Sequence, residues 1–109
     1  MELTGKYAKL RDDLIAALAA GRSAEEKTPN DGGTCNFDSP TIDLPRWQSE
    51  KIKQAAQAAG THCYKWFGST WVFSPRTRAQ GYARTRNAEA AKNKLCELGY
   101  QAYMYYAMD

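Results

Sequence analysis

The chain has 109 residues, of which 43% are hydrophobic and 12% aromatic, with 15 Lys and Arg against 12 Asp and Glu. This balance predicts one small domain and excludes collagen, a coiled coil and full disorder. The longest apolar run, residues 14–20, is far shorter than the roughly 20 residues that span a bilayer, and acidic Glu2 stands where a signal peptide is basic. We therefore expect a cytoplasmic protein.

Residues 3–20 predict an amphipathic helix, followed by Gly21 as its stop. Residues 22–33 contain one Pro, two Gly and no large apolar residue, and this composition predicts a linker loop. Three placements of the helix stay open, namely against the sheet, against a second subunit, or as a partner-binding arm. Its apolar stripe consists of Leu3, Tyr7, Leu10, Leu14, Ile15 and Leu18.

The rest of the chain predicts alternating strands and helices. We expect residues 34–44 to form a strand that is short or bent because of Pro40, and residues 46–59 to form a helix that ends at Gly60. Residues 62–67 and 70–74 are antiparallel strands around a Gly68-Ser69 turn, followed by a helix over 84–98 and a last strand over 100–108.

This element order defines the expected fold class. Strand, helix, strand, strand, helix, strand predicts an α+β, ferredoxin-like (split βαβ) four-stranded antiparallel sheet with helices on one face, plus an extra N-terminal helix. The expected organisation is an N-terminal helix in 1–21, a linker in 22–33 and a compact βαββαβ domain in 34–109.

Charge is distributed unevenly along the chain. Residues 1–44 contain five basic and eight acidic side chains, whereas residues 45–109 contain ten basic and four acidic ones. The segment 74–86 (SPRTRAQGYARTR), called the arginine segment below, has four Arg and no acid just before and within the start of a predicted helix. Arginine forks and free helix N–H groups predict anion binding there. The alternative is a solvated loop whose arginines pair with the acidic N-terminal part.

Aromatic residues cluster on the predicted hairpin and the last strand. A period of two puts 62, 64 and 66 on one face of the hairpin and 63, 65 and 67 on the other, so both faces carry rings. Because the helices are expected on only one face, the rings on the other face need another role. Three roles stay open: stacking on bases, packing against the first helix, or forming a protein interface.

The sequence gives little support for catalysis. Cys35, Cys63 and Cys96 are far apart and predict reduced thiols, with a composite metal site that includes His62 as the alternative. Neighbouring strand positions point His62 and Cys63 to opposite faces, so they do not form a nucleophile and base pair. We expect a protein that is not an enzyme and has no metal or cofactor.

Two short segments resemble nucleic-acid-binding domains. Residues 81–98 (GYARTRNAEAAKNKLCEL) resemble the closing part of a double-stranded-RNA-binding domain, which implies phosphate contacts by Arg84, Arg86 and Lys92. Residues 68–74 (GSTWVFS) resemble part of the aromatic pattern of RNA-recognition-motif domains through Trp71 and Phe73.

A broader resemblance covers DGGTCNFDSP, WVFSP, GYARTRNAEA and the ending YAMD. These stretches resemble small proteins carried by bacterial phages and conjugative elements, of the kind that include anti-CRISPR proteins. The resemblance implies a non-enzymatic binding protein in the bacterial cytoplasm that inhibits a CRISPR effector nuclease, or its nucleic-acid complex, through the basic loop and exposed aromatics. The alternative is a domain that binds RNA or single-stranded DNA directly. The candidate binding residues are Arg76, Arg78, Arg84, Arg86, Lys92, Trp66, Trp71, Tyr82, Tyr103 and Tyr105.

Overall fold

The computed structural model describes residues 2–29, 38–75, 77 and 81–106. Within these residues the helices are α1 (Gly5–Glu26), α2 (Ser49–Ala59) and α3 (Gly81–Glu97). The strands are β1 (Ser39–Asp43), β2 (Cys63–Phe67), β3 (Thr70–Phe73) and β4 (Ala102–Tyr105). The order of elements confirms the α+β class predicted from the sequence.

The strands form one sheet in the order β2-β3-β1-β4, and every neighbouring pair is antiparallel. The helix α2 connects β1 to β2 with β3 between them, and α3 connects β3 to β4 with β1 between them. These are two interlocked split βαβ units, as in a ferredoxin-like arrangement. β1 and β3 are therefore the central strands, and β2 and β4 are the edges.

One face of the sheet packs against the helices. Ile42 of β1 is in register with Trp71 of β3 and with Ala102 of β4, and all three are buried. They join Ile52 of α2 and Leu95 of α3 in the hydrophobic core. This face is called the inner face, and the opposite one the outer face.

The helix α1 belongs to the same core. Its buried side chains recur at helical spacing and pack against both α2 and α3. Of the three placements left open by the sequence, the structure shows α1 in the core, on the same side of the sheet as α2 and α3 and not on the outer face. Ile15, expected in the apolar stripe, is exposed. The buried residues are Tyr7, Leu10, Leu14, Ala17, Leu18 and Gly21.

Gly21 does not end α1, contrary to the sequence prediction, and the helix continues to Glu26. Gly21 is buried where α1 crosses α3: a Cβ atom built on it would lie 2.3 Å from Asn87 Oδ1 and 2.9 Å from the Asn87 backbone oxygen. The glycine is thus required by a close helix crossing and does not form a C-cap. The first residues of the predicted linker are consequently helical.

The other helix and strand boundaries predicted from the sequence agree more closely with the structure. Gly60 caps α2 with φ 90°, Gly99 follows α3 with φ 101°, and the turn at Gly68 and Ser69 joins β2 to β3. α2 starts three residues later than predicted, α3 starts three residues earlier, and β4 is shorter at both ends. The N-terminal part of the first predicted strand lies outside the described residues.

Candidate functional site

The outer face of the sheet carries a row of aromatic side chains. Tyr64 is in register with Val72, Val72 with Thr41, and Thr41 with Tyr103, so these four residues share one face. Val72 and Thr41 in the central strands are buried, whereas Tyr64 and Tyr103 on the edge strands are 50% and 60% exposed. Tyr105 lies on the same face, two residues beyond Tyr103.

A β-bulge adds two further rings to this face. The register of β2 shifts between Lys65 and Phe67, and Phe67 is then opposite Thr70. The rings of Trp66 and Phe67 lie 4.8 Å apart, a contact that consecutive residues of a regular strand cannot make. The expectation that Phe67 would face away from Trp66 is therefore wrong, because strict alternation fails at the bulge.

The aromatic side chains reach across the sheet. Trp66 and Tyr105 stand on opposite edge strands, whose backbones are separated by three strand spacings, about 14 Å in a flat sheet. Their ring centroids are only 4.6 Å apart in an edge-to-face contact. Burial raises the pKa of Tyr64, and nearby Tyr105 raises it further. The rings of both edges thus meet over the central strands and form what we call the aromatic outer face: Tyr64, Trp66, Phe67, Tyr103 and Tyr105.

Charge is scarce on this surface. The four described strands contain only Asp43 and Lys65 as charged residues. Lys65 is in register with Trp71 and therefore belongs to the inner side. Asp43 is opposite Thr70, on the outer face, and accepts a hydrogen bond from the Ser69 hydroxyl. The aromatic outer face is consequently large, apolar in character and almost uncharged.

The arginine segment follows β3 and leads into α3, at the end of the sheet where β1 begins. Arg76 and Arg78 lie outside the described residues. Thr77, between them, donates its hydroxyl proton to Glu25 of α1, and Asn87 Nδ2 donates to the same Glu25 oxygen at 2.9 Å. The segment is thereby attached to the end of α1.

The first turns of α3 hold the two described arginines. Arg84 is half-buried, and burial lowers its pKa while nearby Asp38 opposes that shift. Thr85 donates to the Asp38 carboxylate at 2.7 Å, which joins α3 to the start of β1. Arg84 therefore lies near an acid of the N-terminal part, as the alternative interpretation of the arginine segment expects.

Arg86 is held by its own helix. Its Nη1 donates to Glu89 Oε1 at 2.9 Å, its Nη2 donates to the Tyr82 hydroxyl, and its guanidinium carbon lies 4.5 Å from the Tyr82 ring centroid. Tyr106 donates to the other Glu89 oxygen at 2.9 Å. Arg86, Tyr82 and Tyr106 thus form one exposed cluster beside the edge strand β4.

Two of the candidate residues lie elsewhere. Trp71 is only 3% exposed and packs in the core, so it is not available to a partner. Phe73 is buried there too, and the two residues on which the RNA-recognition-motif resemblance depends therefore face the helices. Lys92 is six residues after Arg86, about 120° around the helix from it, and does not share its face. The structure brings together Trp66, Tyr103 and Tyr105, and separately Tyr82 and Arg86.

The described residues offer little for metal or thiol chemistry. No three of their His, Cys, Asp or Glu side chains lie close enough to hold a metal ion. Cys63 and Cys96 are free thiols, and burial raises the pKa of Cys63 to about 11, with a smaller opposing effect of Lys53. Among the same residues, no helix is both long enough and apolar enough to cross a membrane.

Comparison with protein-family models, with curated protein sequences and with solved structures gives no match to this chain. The assignment of the candidate site therefore rests on the geometry of the described residues alone.

Proposed function

We propose that this is a non-enzymatic binding protein whose aromatic outer face contacts a partner protein. The observation that carries the proposal is the exposure of Tyr64, Trp66 and Tyr103, each about half-exposed or more, on a sheet face that no described helix covers. Large aromatic side chains on one contiguous surface are the residues that contribute most binding energy in protein interfaces.

The lack of a cation among the described strand residues of this face favours a protein partner over a nucleic acid. Affinity for nucleic acid comes largely from cations that neutralise phosphates. Among the described strand residues the outer face carries no cation, and Arg86 is already paired with Glu89. An aromatic surface without a cation matches the centre of a protein interface.

The test compares two variants that each remove exposed apolar surface, one from the sheet and one from α1. Trp66→Ala and Tyr103→Ala together remove two exposed rings from the aromatic outer face, whereas Ile15→Ala removes an exposed apolar side chain from α1. Each tagged protein is incubated with a bacterial lysate, with and without nuclease treatment, and the retained molecules are identified. Circular dichroism and thermal unfolding establish that all variants remain folded.

We expect the wild type and Ile15→Ala to retain the same protein and the double variant to lose it. A partner that the double variant retains at wild-type level would place the interface elsewhere. Retention that disappears on nuclease treatment would show that the partner is a nucleic acid.

A finer proposal concerns the identity of the partner. From the resemblance to phage and conjugative-element proteins, we propose a CRISPR effector nuclease, bound in the bacterial cytoplasm. The assay is target-DNA cleavage by purified effector complexes, with the wild type and the double variant as inhibitors. Inhibition by the wild type alone supports this identity, and unimpaired cleavage across the effector classes refutes it.

Direct binding of RNA or single-stranded DNA is the second candidate. It is favoured by one specific observation: β3 ends, and the arginine segment begins, at the end of the sheet where Tyr105 is in register with Ser39, so bases stacked on the rings would lie near the start of that segment. Fluorescence anisotropy with labelled single strands at several salt concentrations tests it. A steep loss of affinity with salt, reduced by Arg76→Ala and Arg78→Ala, would support this candidate.

A further inference from the structure

A pocket lies at the opposite end of the sheet from the arginine segment. It has a volume of about 370 Å³ and is bordered by α1, by the turn after β1 and by the turn before β4. That volume is in the range of small-molecule sites in proteins. Its walls combine apolar and basic groups: Leu44, Leu98, Trp47, Tyr100, Lys6 and Lys9.

Each of the two lysines of the pocket lies beside one of its two aromatic side chains. Lys6 Nζ is 4.6 Å from the Trp47 ring centroid, and Lys9 Nζ is 5.1 Å from the Tyr100 ring centroid. They lie three residues apart on α1 and therefore point to the same side of that helix. Each ammonium group is thus placed beside a flat apolar surface.

The charges of the pocket are only partly neutralised. Lys9 pairs with Asp13 at 2.6 Å, and the hydroxyl of Tyr100 donates to the same carboxylate oxygen at 2.7 Å. Asp43, also in the lining, accepts a hydrogen bond from the Ser69 hydroxyl and keeps its negative charge, so the anion's charged group is placed at Lys6. Lys6 has no carboxylate partner among the described residues.

A further cation contacts the same Tyr7 ring as Lys6. Lys51 Nζ and Lys6 Nζ lie 5.3 and 5.4 Å from the Tyr7 ring centroid. Lys51 is outside the pocket lining, so the cations that face a bound anion are Lys6 and Lys9, opposed by the negative charge of Asp43.

The turn that carries Trp47 is held in a strained conformation. Arg46, immediately before Trp47, has φ 67°, a left-handed backbone that side-chain-bearing residues rarely adopt. The neighbouring backbone is fixed: Gln48 N–H donates to the Tyr7 hydroxyl at 2.9 Å, and Trp47 N–H donates to the Leu44 oxygen at 3.3 Å. Strained backbone conformations of this kind are often found at ligand sites, where the surrounding structure holds a side chain in position before the ligand binds.

We propose that this pocket binds a small organic anion with a flat unsaturated body, whose charged group contacts Lys6 and whose flat body lies against Trp47. An ammonium group supplies a charge-assisted hydrogen bond to a phosphate or carboxylate, and the indole supplies stacking area. The site is separate from the aromatic outer face and does not depend on the function proposed for it.

The test uses nuclear magnetic resonance spectra of the full chain. The indole N–H signal of Trp47, identified as the one that Trp47→Phe lacks, is followed during titrations with adenosine monophosphate and with 2-naphthoate. Adenosine and inorganic phosphate, which each supply one half of the proposed chemistry, are titrated separately. The variants are Lys6→Ala and, as a matched control, Lys53→Ala, an exposed lysine of α2 that is outside the pocket lining and 3.9 Å from Glu50.

We expect saturable shifts of the Trp47 signal with a flat anion and about tenfold weaker binding to Lys6→Ala, as loss of one charge-assisted contact implies. Lys53→Ala and Trp66→Ala should bind as the wild type does. Saturable binding of either flat anion, weakened in Lys6→Ala, supports the proposal. The proposal is wrong if neither anion shifts Trp47, if adenosine or phosphate alone binds equally well, or if Lys6→Ala binds normally.

Discussion

Replacement of Gly21 by alanine should destabilise the protein, although alanine is the better helix former. In a free helix the substitution would gain about 1 kcal/mol. Here the new methyl group would lie 2.3 Å from Asn87 Oδ1 and 2.9 Å from the Asn87 backbone oxygen, so either the side chain or the whole of α3 must move. Overpacking of this kind costs about 1–3 kcal/mol, and displacement of Asn87 from Glu25 adds about 1 kcal/mol.

The net loss should be about 1–3 kcal/mol, or about 4–12 °C in melting temperature for a domain of this size. Urea and thermal unfolding, followed by circular dichroism, measure it. Ala19→Gly at an exposed position of α1 is the control, because it reports helix propensity without the crossing. If Gly21→Ala were as stable as the wild type or more stable, α1 would not approach α3 as closely as the structure shows, and the reasoning would fail.

Three further measurements test the packing. Trp71→Ala should lower the unfolding free energy by about 3–5 kcal/mol because the side chain is buried, whereas Trp66→Ala, 49% exposed, should change it by much less; urea unfolding of both compares them. Alkylation at neutral pH, mapped by mass spectrometry, should modify exposed Cys96 before Cys63, whose buried thiol has a pKa raised to about 11. Burial and the Asp13 hydrogen bond raise the pKa of Tyr100 above its ordinary value, so this group stabilises the fold below about pH 10 and the benefit is lost as pH rises further; unfolding at pH 8 to 11 should show a shallower decline in Tyr100→Phe than in the wild type.

Most of the fold follows from local sequence signals. Apolar periodicity locates α1, α2 and α3, and Gly60 and Gly99 end two of them because a left-handed cap favours glycine. Gly21 misleads for a physical reason: a glycine that permits a close crossing has the same appearance in a sequence as one that ends a helix. Only its partner Asn87, 66 positions away in the chain, distinguishes the two.

The candidate surface was predictable in part. The aromatic richness of β2 and β4 is evident in the sequence, and strand period places Tyr64 on the same face as Trp66, as the structure has it; that Tyr103 shares this face follows only from the strand register. It cannot place Phe67, because one bulge reverses the alternation, and it cannot separate Trp66 from Trp71, because both lie in similar aromatic runs. The pocket near Lys6 gives no sequence signal, since three separate segments build it.

The position of α1 determines which parts of the chain can fold alone. Among the described helices, α2 and α3 contact α1 far more than each other, and Leu10, Leu14 and Leu18 of α1 are nearly inaccessible. Each such side chain contributes about 1.5–3 kcal/mol when buried, so α1 supplies as much free energy as the whole net stability of a typical domain.

A fragment of residues 34–109, which the sequence predicts to be a compact domain, should therefore be unfolded on its own. It should regain structure when a peptide of residues 2–29 is added. Far-ultraviolet circular dichroism and proton–nitrogen correlation spectra of the fragment, with and without the peptide, measure both effects. A cooperative thermal transition of the isolated fragment would mean that α1 is an accessory to the core and not a part of it.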